Sequence, residues 1–303
     1  MVRVKIPATT ANLGCGYDTF GMALGYYNYV SVERASTFSV EIIGEGQKFL
    51  QSSSSNLVVR SAAAAFELAG QTMPNLAFVC ENNIPLSRGM GSSSSAIIGG
   101  IYAANEIMGR VLSPEQMLNL AISIEGHPDN VAPALYGGFT VCASEAGVQY
   151  TKRIDVPNSL QAVLAIPNFP VSTKKARAIM PKQVALEDAV YNMSHAAYLA
   201  LALVQGDISG FGAMLTDRLH QPYRFSLIKG AEAVVEAAIA AGAIGCVISG
   251  SGPSMISFTE NDDILKNNIA AAMSEAFADN GVETKIIVVG MDNTGTIVDE
   301  NQN

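Results

Sequence analysis

Pro85-Leu86-Ser87-Arg88-Gly89-Met90-Gly91-Ser92-Ser93-Ser94-Ser95 sets two glycines and four serines ahead of a small-residue helix. The first N–H groups of a helix have no intrahelical partners and lie at the positive end of its dipole. They can therefore surround a polyphosphate, and glycine lets that ligand come close to the chain. The serines add hydroxyls for phosphate or a metal ion. The same residue types also make an ordinary N-terminal cap, so this stretch alone leaves both readings open. No Gly-Lys-Ser/Thr follows the glycines, and serine stands where a dinucleotide turn has its third glycine; P-loop and Rossmann readings fall on those two points.

Three further glycine-containing polar islands decide the matter. They are Pro7-Ala8-Thr9-Thr10-Ala11-Asn12-Leu13-Gly14-Cys15-Gly16-Tyr17-Asp18, Glu125-Gly126-His127-Pro128-Asp129-Asn130-Val131-Ala132-Pro133, and Ser249-Gly250-Ser251-Gly252-Pro253-Ser254. In this order, over nearly the whole chain, they resemble the family of small-molecule kinases that includes galactokinase, homoserine kinase, mevalonate kinase and phosphomevalonate kinase. The first island and the Glu125–Pro133 run match the homoserine-phosphorylating branch best. The resemblance implies an α+β fold of two domains, an N-terminal one of the ribosomal-protein-S5 type over 1–155 and a ferredoxin-like one over 156–303, with the active site between them. It also implies ATP-dependent phosphorylation of the L-homoserine hydroxyl, with Mg²⁺.

The resemblance assigns roles residue by residue. Pro85, Leu86, Ser87, Arg88, Gly89, Met90, Gly91, Ser92, Ser93, Ser94 and Ser95 form the ATP cradle, and Ser93 with Glu125 holds Mg²⁺. Asn12, Asp18, His127, Asn130, Thr173, Arg177 and Arg224 surround the amino acid. Asp18 suits its ammonium; Arg177 and Arg224 suit its carboxylate, because the guanidinium fork binds carboxylates in bidentate fashion. Asp129 acts on the hydroxyl as a base, or Asn130 aligns it without one; the second is favoured. Met90 stands where the family has leucine, Ser94 and Ser95 where it has alanines, and Cys15 where it has proline. A cysteine there makes the loop looser and its thiol open to alkylation.

Composition narrows the field independently. A net charge of −9 disfavours nucleic acid and anionic membrane as partners, since both reward a basic surface. Apolar residues make up 49 % of the 303, with much of that share in alanine-rich helical stretches, so no membrane span is expected. The alternating first residues lack the apolar run of a signal peptide, which points to the cytoplasm. Cys15, Cys80, Cys142 and Cys246 show no Cys-x-x-Cys spacing and read as reduced thiols, buried except for Cys15, which lies in a proposed site loop. A homodimer is compatible with all of this.

Periodicity places strands at 3–6, 27–33, 38–43, 76–80, 139–142, 162–166, 245–249, 255–258 and 284–289. Helices are expected from the Asn56 cap to Gly70, over 93–108, and from Ser113 to Glu125, where Pro114 and Gln116 complete a helix-start signal. Further helices follow over 173–179, 186–205, 208–215, 225–241 and 264–278. Pro128 is read as fixing a loop around His127, Asp129 and Asn130.

Overall fold

Val2 to Ala11 form β1, which pairs antiparallel with a long β2 (Phe20–Arg34) in the computed structural model, whose description covers residues 1–300. β2 carries most of the first sheet. β3 (Ser39–Gly44) lies parallel to β4 (Leu76–Asn82), and β4 and β5 (Phe139–Glu145) both pair with β2. β6 (Val148–Ile154) completes a hairpin with β5. Four helices accompany this sheet: α1 (Leu57–Leu68), α2 (Ser92–Ile107), α3 (Pro114–Glu125) and α4 (Pro128–Tyr136). Their starts follow local chemistry. The Asn56 side chain accepts from Val58 N at 2.9 Å, and Ser113 and Gln116 satisfy each other's backbone N–H groups in a capping box, each such cap contributing about 1 kcal/mol.

The second sheet is antiparallel, in the order β10-β7-β9-β8: β7 (Leu160–Pro167), β8 (Gly245–Ile248), β9 (Met255–Glu260) and β10 (Thr284–Gly290). Between β7 and β8 run α5 (Thr173–Ala178), α6 (Leu186–Gln205), α7 (Ile208–Ala213), α8 (Gln221–Arg224) and α9 (Ala231–Ala240). α10 (Asp263–Asp279) joins β9 to β10. This strand order is the ferredoxin-like one. The chain then returns to the first sheet, where β11 (Ile297–Val298) pairs with β1. The division at 155/156 is therefore incomplete, because the last strand belongs to the N-terminal layer.

Alternation along β7 divides the core. Val163 and Ala165 face a cluster with α9 and α10, whereas Ala162, Leu164 and Ile166 face Met22, Leu24, Met90 and Phe139 of the first domain. A third cluster lies between the first sheet and α1 to α4. The middle cluster joins the two domains into one body, with each large apolar side chain contributing roughly 1.5–3 kcal/mol on burial.

Three expectations need correction. The 128–136 segment is a helix, since Pro128 occupies its first turn, where a missing N–H costs nothing. The helix expected over 225–241 is broken: α8 passes into a 3-10 turn, and α9 starts only after Gly230, whose φ is +83°. β6 was not anticipated, its exposed alternation being interrupted by charged residues.

Candidate active site

α2 follows Gly91, in the left-handed region (φ +69°), with no side-chain cap and no acidic residue in its first turn. Its leading N–H groups are thus offered to a ligand, and the dipole favours an anion there. The two glycines are needed for closeness as well as for φ. A Cβ at Gly89 would strike the Ser249 carbonyl and one at Gly91 the Thr9 hydroxyl. The Ser249–Ser254 island backs the loop directly, with Ser249 Oγ donating to Gly89 O at 2.6 Å.

The loop opens on a cavity of about 560 Å³ lying between the domains. Its lining includes Leu86 to Ser94 of the loop and brings together Asn12, Asp18, Glu125, His127, Asp129, Asn130, Thr173, Arg177 and Arg224. Pro85 and Ser95 are not part of it. Ser95 is fully buried, its hydroxyl donating to Ser92 O at 3.0 Å and accepting from Asn28 Nδ2 at 2.8 Å, so it fixes the helix start to β2. Arg88 lines the cavity, but its guanidinium donates to the carbonyls of Pro167, Leu86 and Asn168 at 2.8, 3.0 and 3.1 Å. It tethers the loop to the end of β7.

Ser93 Oγ donates to Glu125 Oε2 at 2.7 Å and Ser94 Oγ to Oε1 at 3.1 Å. The end of α3 is thereby held against the start of α2. One step on, His127 Nδ1 lies 2.6 Å from Asp129 Oδ1. Burial pulls the His127 pKa down, but the bond to Asp129 and the charges of Asp129 and Glu125 outweigh it and leave it above the ordinary value. Asn130 is oriented by Thr9, whose hydroxyl donates to Asn130 Oδ1 at 2.8 Å. That bond turns the amide N–H₂ away from Thr9; its nitrogen lies 3.4 Å from Asp129 Oδ1, and its second N–H is left for a ligand in the cavity that Asn130 lines.

The far end of the cavity is charged. Arg177 donates to both oxygens of Asp18 at 2.8 Å each, a bidentate pair. Arg224 is 2 % exposed and donates to Gly250 O at 3.1 Å. Burial lowers its pKa, with Arg177 acting in the same sense. Asn12 Nδ2 donates to Gly250 O, and its Oδ1 accepts from Asp18 N, so one side chain holds both site loops.

Several contributors were missed from sequence. Phe49, Leu57, Val58 and Cys80 line an apolar part of the cavity, yet each looks like ordinary core or surface in the chain. Thr9 acts across 121 positions. His220 lies in the same short run as Arg224 and is fully buried. Its Nε2 donates to Gly14 O at 2.8 Å, which leaves Nδ1 as an acceptor facing Arg224 Nη1 at 3.4 Å. The Tyr17 ring stacks on it at 5.3 Å and lies 5.0 Å from the Arg224 guanidinium. Asp217 sets the base of this group by accepting from the N–H groups of Leu219, His220 and Gln221.

Burial pushes the His220 pKa down to about 4; Arg224 acts in the same sense and Asp217 against it. The folded value lies below the ordinary one near 6.5, so the neutral ring contributes stability that is present above pH 6.5 and lost as pH falls toward 4. Thermal denaturation should show the melting temperature falling through that window. The slope should approach one proton, about 1.4 kcal/mol per pH unit, and His220→Gln should remove it. An equal slope in the variant would refute the buried neutral imidazole.

Cys15 is corrected outright. The residue is 5 % exposed, its thiol donates to Met214 O at 3.3 Å, and burial pushes its pKa up to about 12. Cys80, Cys142 and Cys246 are also buried, their pKa values raised by burial to about 12, 11 and 12. A thiolate is the reactive form. An aromatic disulfide reagent should therefore titrate less than one thiol per native chain and four after denaturation in guanidinium; fast labelling of the native protein at Cys15 would contradict this geometry.

With the geometry in place, comparison with known proteins is direct. Residues 52–138 match the GHMP kinases N terminal domain and residues 199–279 match GHMP kinases C terminal. The homoserine kinase of Moorella thermoacetica is 41 % identical over 98 % of this chain and 100 % of its own length. That of Desulfitobacterium hafniense is 40 % identical with the same coverage. Among solved structures, homoserine kinase from Cytophaga hutchinsonii superposes with a TM-score of 0.90 at 32 % identity, covering 98 % of this chain and 97 % of that one. L. major mevalonate kinase shares the fold, with a TM-score of 0.70 at 14 % identity over 97 % of this chain and 95 % of that one. Phosphate cradle, interdomain cavity, strand order and full-length similarity agree, and the chain belongs to the GHMP kinase family.

Proposed function

We infer that this chain transfers the γ-phosphoryl group of ATP to the side-chain hydroxyl of L-homoserine, giving O-phospho-L-homoserine on the route to threonine. The observation that carries the reading is one cavity with an uncapped helix N-terminus at one end and Asp18, Arg177 and Arg224 at the other. Full-length relatives that are homoserine kinases support it. A zwitterion needs both charges, and mevalonate has no ammonium for Asp18.

Phosphoryl transfer asks mainly for positioning and charge neutralisation. The α2 N–H groups and Ser92 to Ser94 hold the phosphates, and the apolar part of the cavity near Val58 and Cys80 suits a purine base. The homoserine oxygen bonds to the γ-phosphorus as the bond to the β–γ bridging oxygen breaks; the hydroxyl proton passes to an oxygen of the transferred phosphoryl group and from there to solvent, and ADP leaves. Asn130 donates to the attacking oxygen and aligns it. Asp129 accepts from His127 and keeps this corner fixed, and no separate base is required of it.

Ser93 and Glu125 fit Mg²⁺, since they offer hard oxygen donors and no soft ligand. Among the described residues no three His, Cys, Asp or Glu side chains cluster as a metal cage, which suits an ion that keeps waters and substrate phosphates. When bound there, Mg²⁺ neutralises charge on the β- and γ-phosphates. The unpaired cysteines support a reducing compartment, the cytoplasm, and no described helix is long and apolar enough to cross a membrane.

The test is ADP release from ATP with Mg²⁺ and homoserine, mevalonate, galactose or threonine. Release is expected with homoserine at a rate well above the others. Equal or faster turnover of mevalonate or galactose would overturn the assignment.

A further inference from the structure

The protein itself engages Arg224 along one edge of its guanidinium. Nε donates to Ala176 O at 3.4 Å, and Nη1 donates to Gly250 O at 3.1 Å and to His220 Nδ1 at 3.4 Å. Those two acceptors use both hydrogens of Nη1. Nη2 makes no hydrogen bond among the described residues, so its two hydrogens are left for a ligand in the cavity that Arg224 lines. His220 supplies the one side-chain acceptor in this frame; the other two are backbone carbonyls.

The imidazole is fixed for that task. Gly14 O, 2.8 Å from Nε2, can only accept, and a guanidinium can only donate. Both neighbours therefore select the same tautomer, with the hydrogen on Nε2 and the lone pair on Nδ1. The Tyr17 ring stacks on the imidazole at 29° between planes. Asp217 fixes the backbone beneath it, accepting from His220 N at 2.9 Å while Asn192 Nδ2 holds the same carboxylate at 2.6 Å. His220 is fully buried and Arg224 nearly so, so bulk water does not replace a missing acceptor and the unpaired N–H would be costly.

We propose that His220 is a positioning residue for this kinase: its Nδ1 lone pair turns the Arg224 guanidinium so that Nη2 meets the carboxylate of the substrate. This rests on the reading of the cavity as a homoserine site. The effect on substrate should pass entirely through Arg224, since His220 itself is not among the residues lining the cavity.

The two ring nitrogens can be tested apart. His220→Gln puts a donor where Nε2 stands and nothing where Nδ1 stands. It should raise the KM for homoserine roughly tenfold, the scale of a bond lost by a buried charged donor, with little change in the KM for ATP. His220→Asn puts an acceptor where Nδ1 stands and should recover most of that affinity, although loss of the Gly14 bond lowers its melting temperature. In an Arg224→Ala background His220→Gln should cost no further homoserine affinity. Circular dichroism should report each variant folded. A KM for homoserine unchanged in His220→Gln, a matching rise for ATP, or losses that add in the double variant would each overturn the positioning role and leave His220 an ordinary core residue. A wild type that releases no ADP with homoserine overturns the function instead, and long-range ¹H–¹⁵N correlation spectra then judge the ring alone. They should show Nε2 protonated and Nδ1 bare, with the Nδ1 shift moving in Arg224→Ala; a protonated Nδ1, or a shift indifferent to Arg224, overturns the proposal.

Discussion

Glu125→Gln should leave the fold intact and lower turnover roughly 10²–10³-fold, the scale seen when one preorganised electrostatic group is removed from a transition state. Its carboxylate is held by the hydroxyls of Ser93 and Ser94 at 2.7 and 3.1 Å. An amide keeps the size and one acceptor, so the start of α2 stays in place while the charge that suits Mg²⁺ disappears. Ser93→Ala should act in the same direction with a smaller loss. Because the two side chains touch and are proposed to serve one ion, the double variant should lose less than the two single losses combined. Titrating turnover with Mg²⁺ decides the matter. If Glu125→Gln shows the wild-type metal requirement, this residue only staples α3 to α2.

Arg224→Ala should raise the KM for homoserine about 30-fold to several thousand-fold, the equivalent of roughly 2–5 kcal/mol for removing one partner of a desolvated charge pair. The KM for ATP should change little. Arg224 is 2 % exposed and faces the same cavity as the phosphate loop, but its own bonds run to Gly250 O and Ala176 O. Losing those bonds lowers stability too, so binding must be measured on protein shown to be folded. A parallel loss toward both substrates would mean that the cavity has collapsed and that no carboxylate clamp was removed.

What was legible in the chain was local. The phosphate loop, the capping box at Ser113 and the apolar strand run of β7 depend on neighbours within a few positions, and composition and turn chemistry expose them. The geometry that makes the site work does not. Thr9 orients Asn130, and Asn192 holds Asp217 and the Cys15 carbonyl, through contacts between residues that nothing in the linear order pairs. Motif resemblance collected the cavity residues without saying what each touches. It counted Arg88 and Ser95 with the cradle, although their polar atoms serve the loop's own framework. Proline misled at Pro128, where its fixed φ starts a helix as readily as it stiffens a loop. Pro133 inside the same helix has no N–H for the Asp129 carbonyl, and Gly21, lacking a Cβ, lets β2 pass close to that oxygen.

The pairing of Asp18 with Arg177 bears on selectivity in a way that contact strength alone does not capture. These groups are already neutralised by each other, with two bonds of 2.8 Å. An arriving amino acid that takes both must exchange partners twice, its ammonium replacing Arg177 at Asp18 and its carboxylate replacing Asp18 at Arg177. One ion pair becomes two and no charge is stranded. A compound with only one of the two charges can satisfy one side only by separating the pair and leaving the other side alone. Rejection of half-matched analogues would then come from the disruption they cause as well as from the contact they lack, and an amino alcohol without a carboxylate should compete with homoserine more weakly than its single missing interaction suggests.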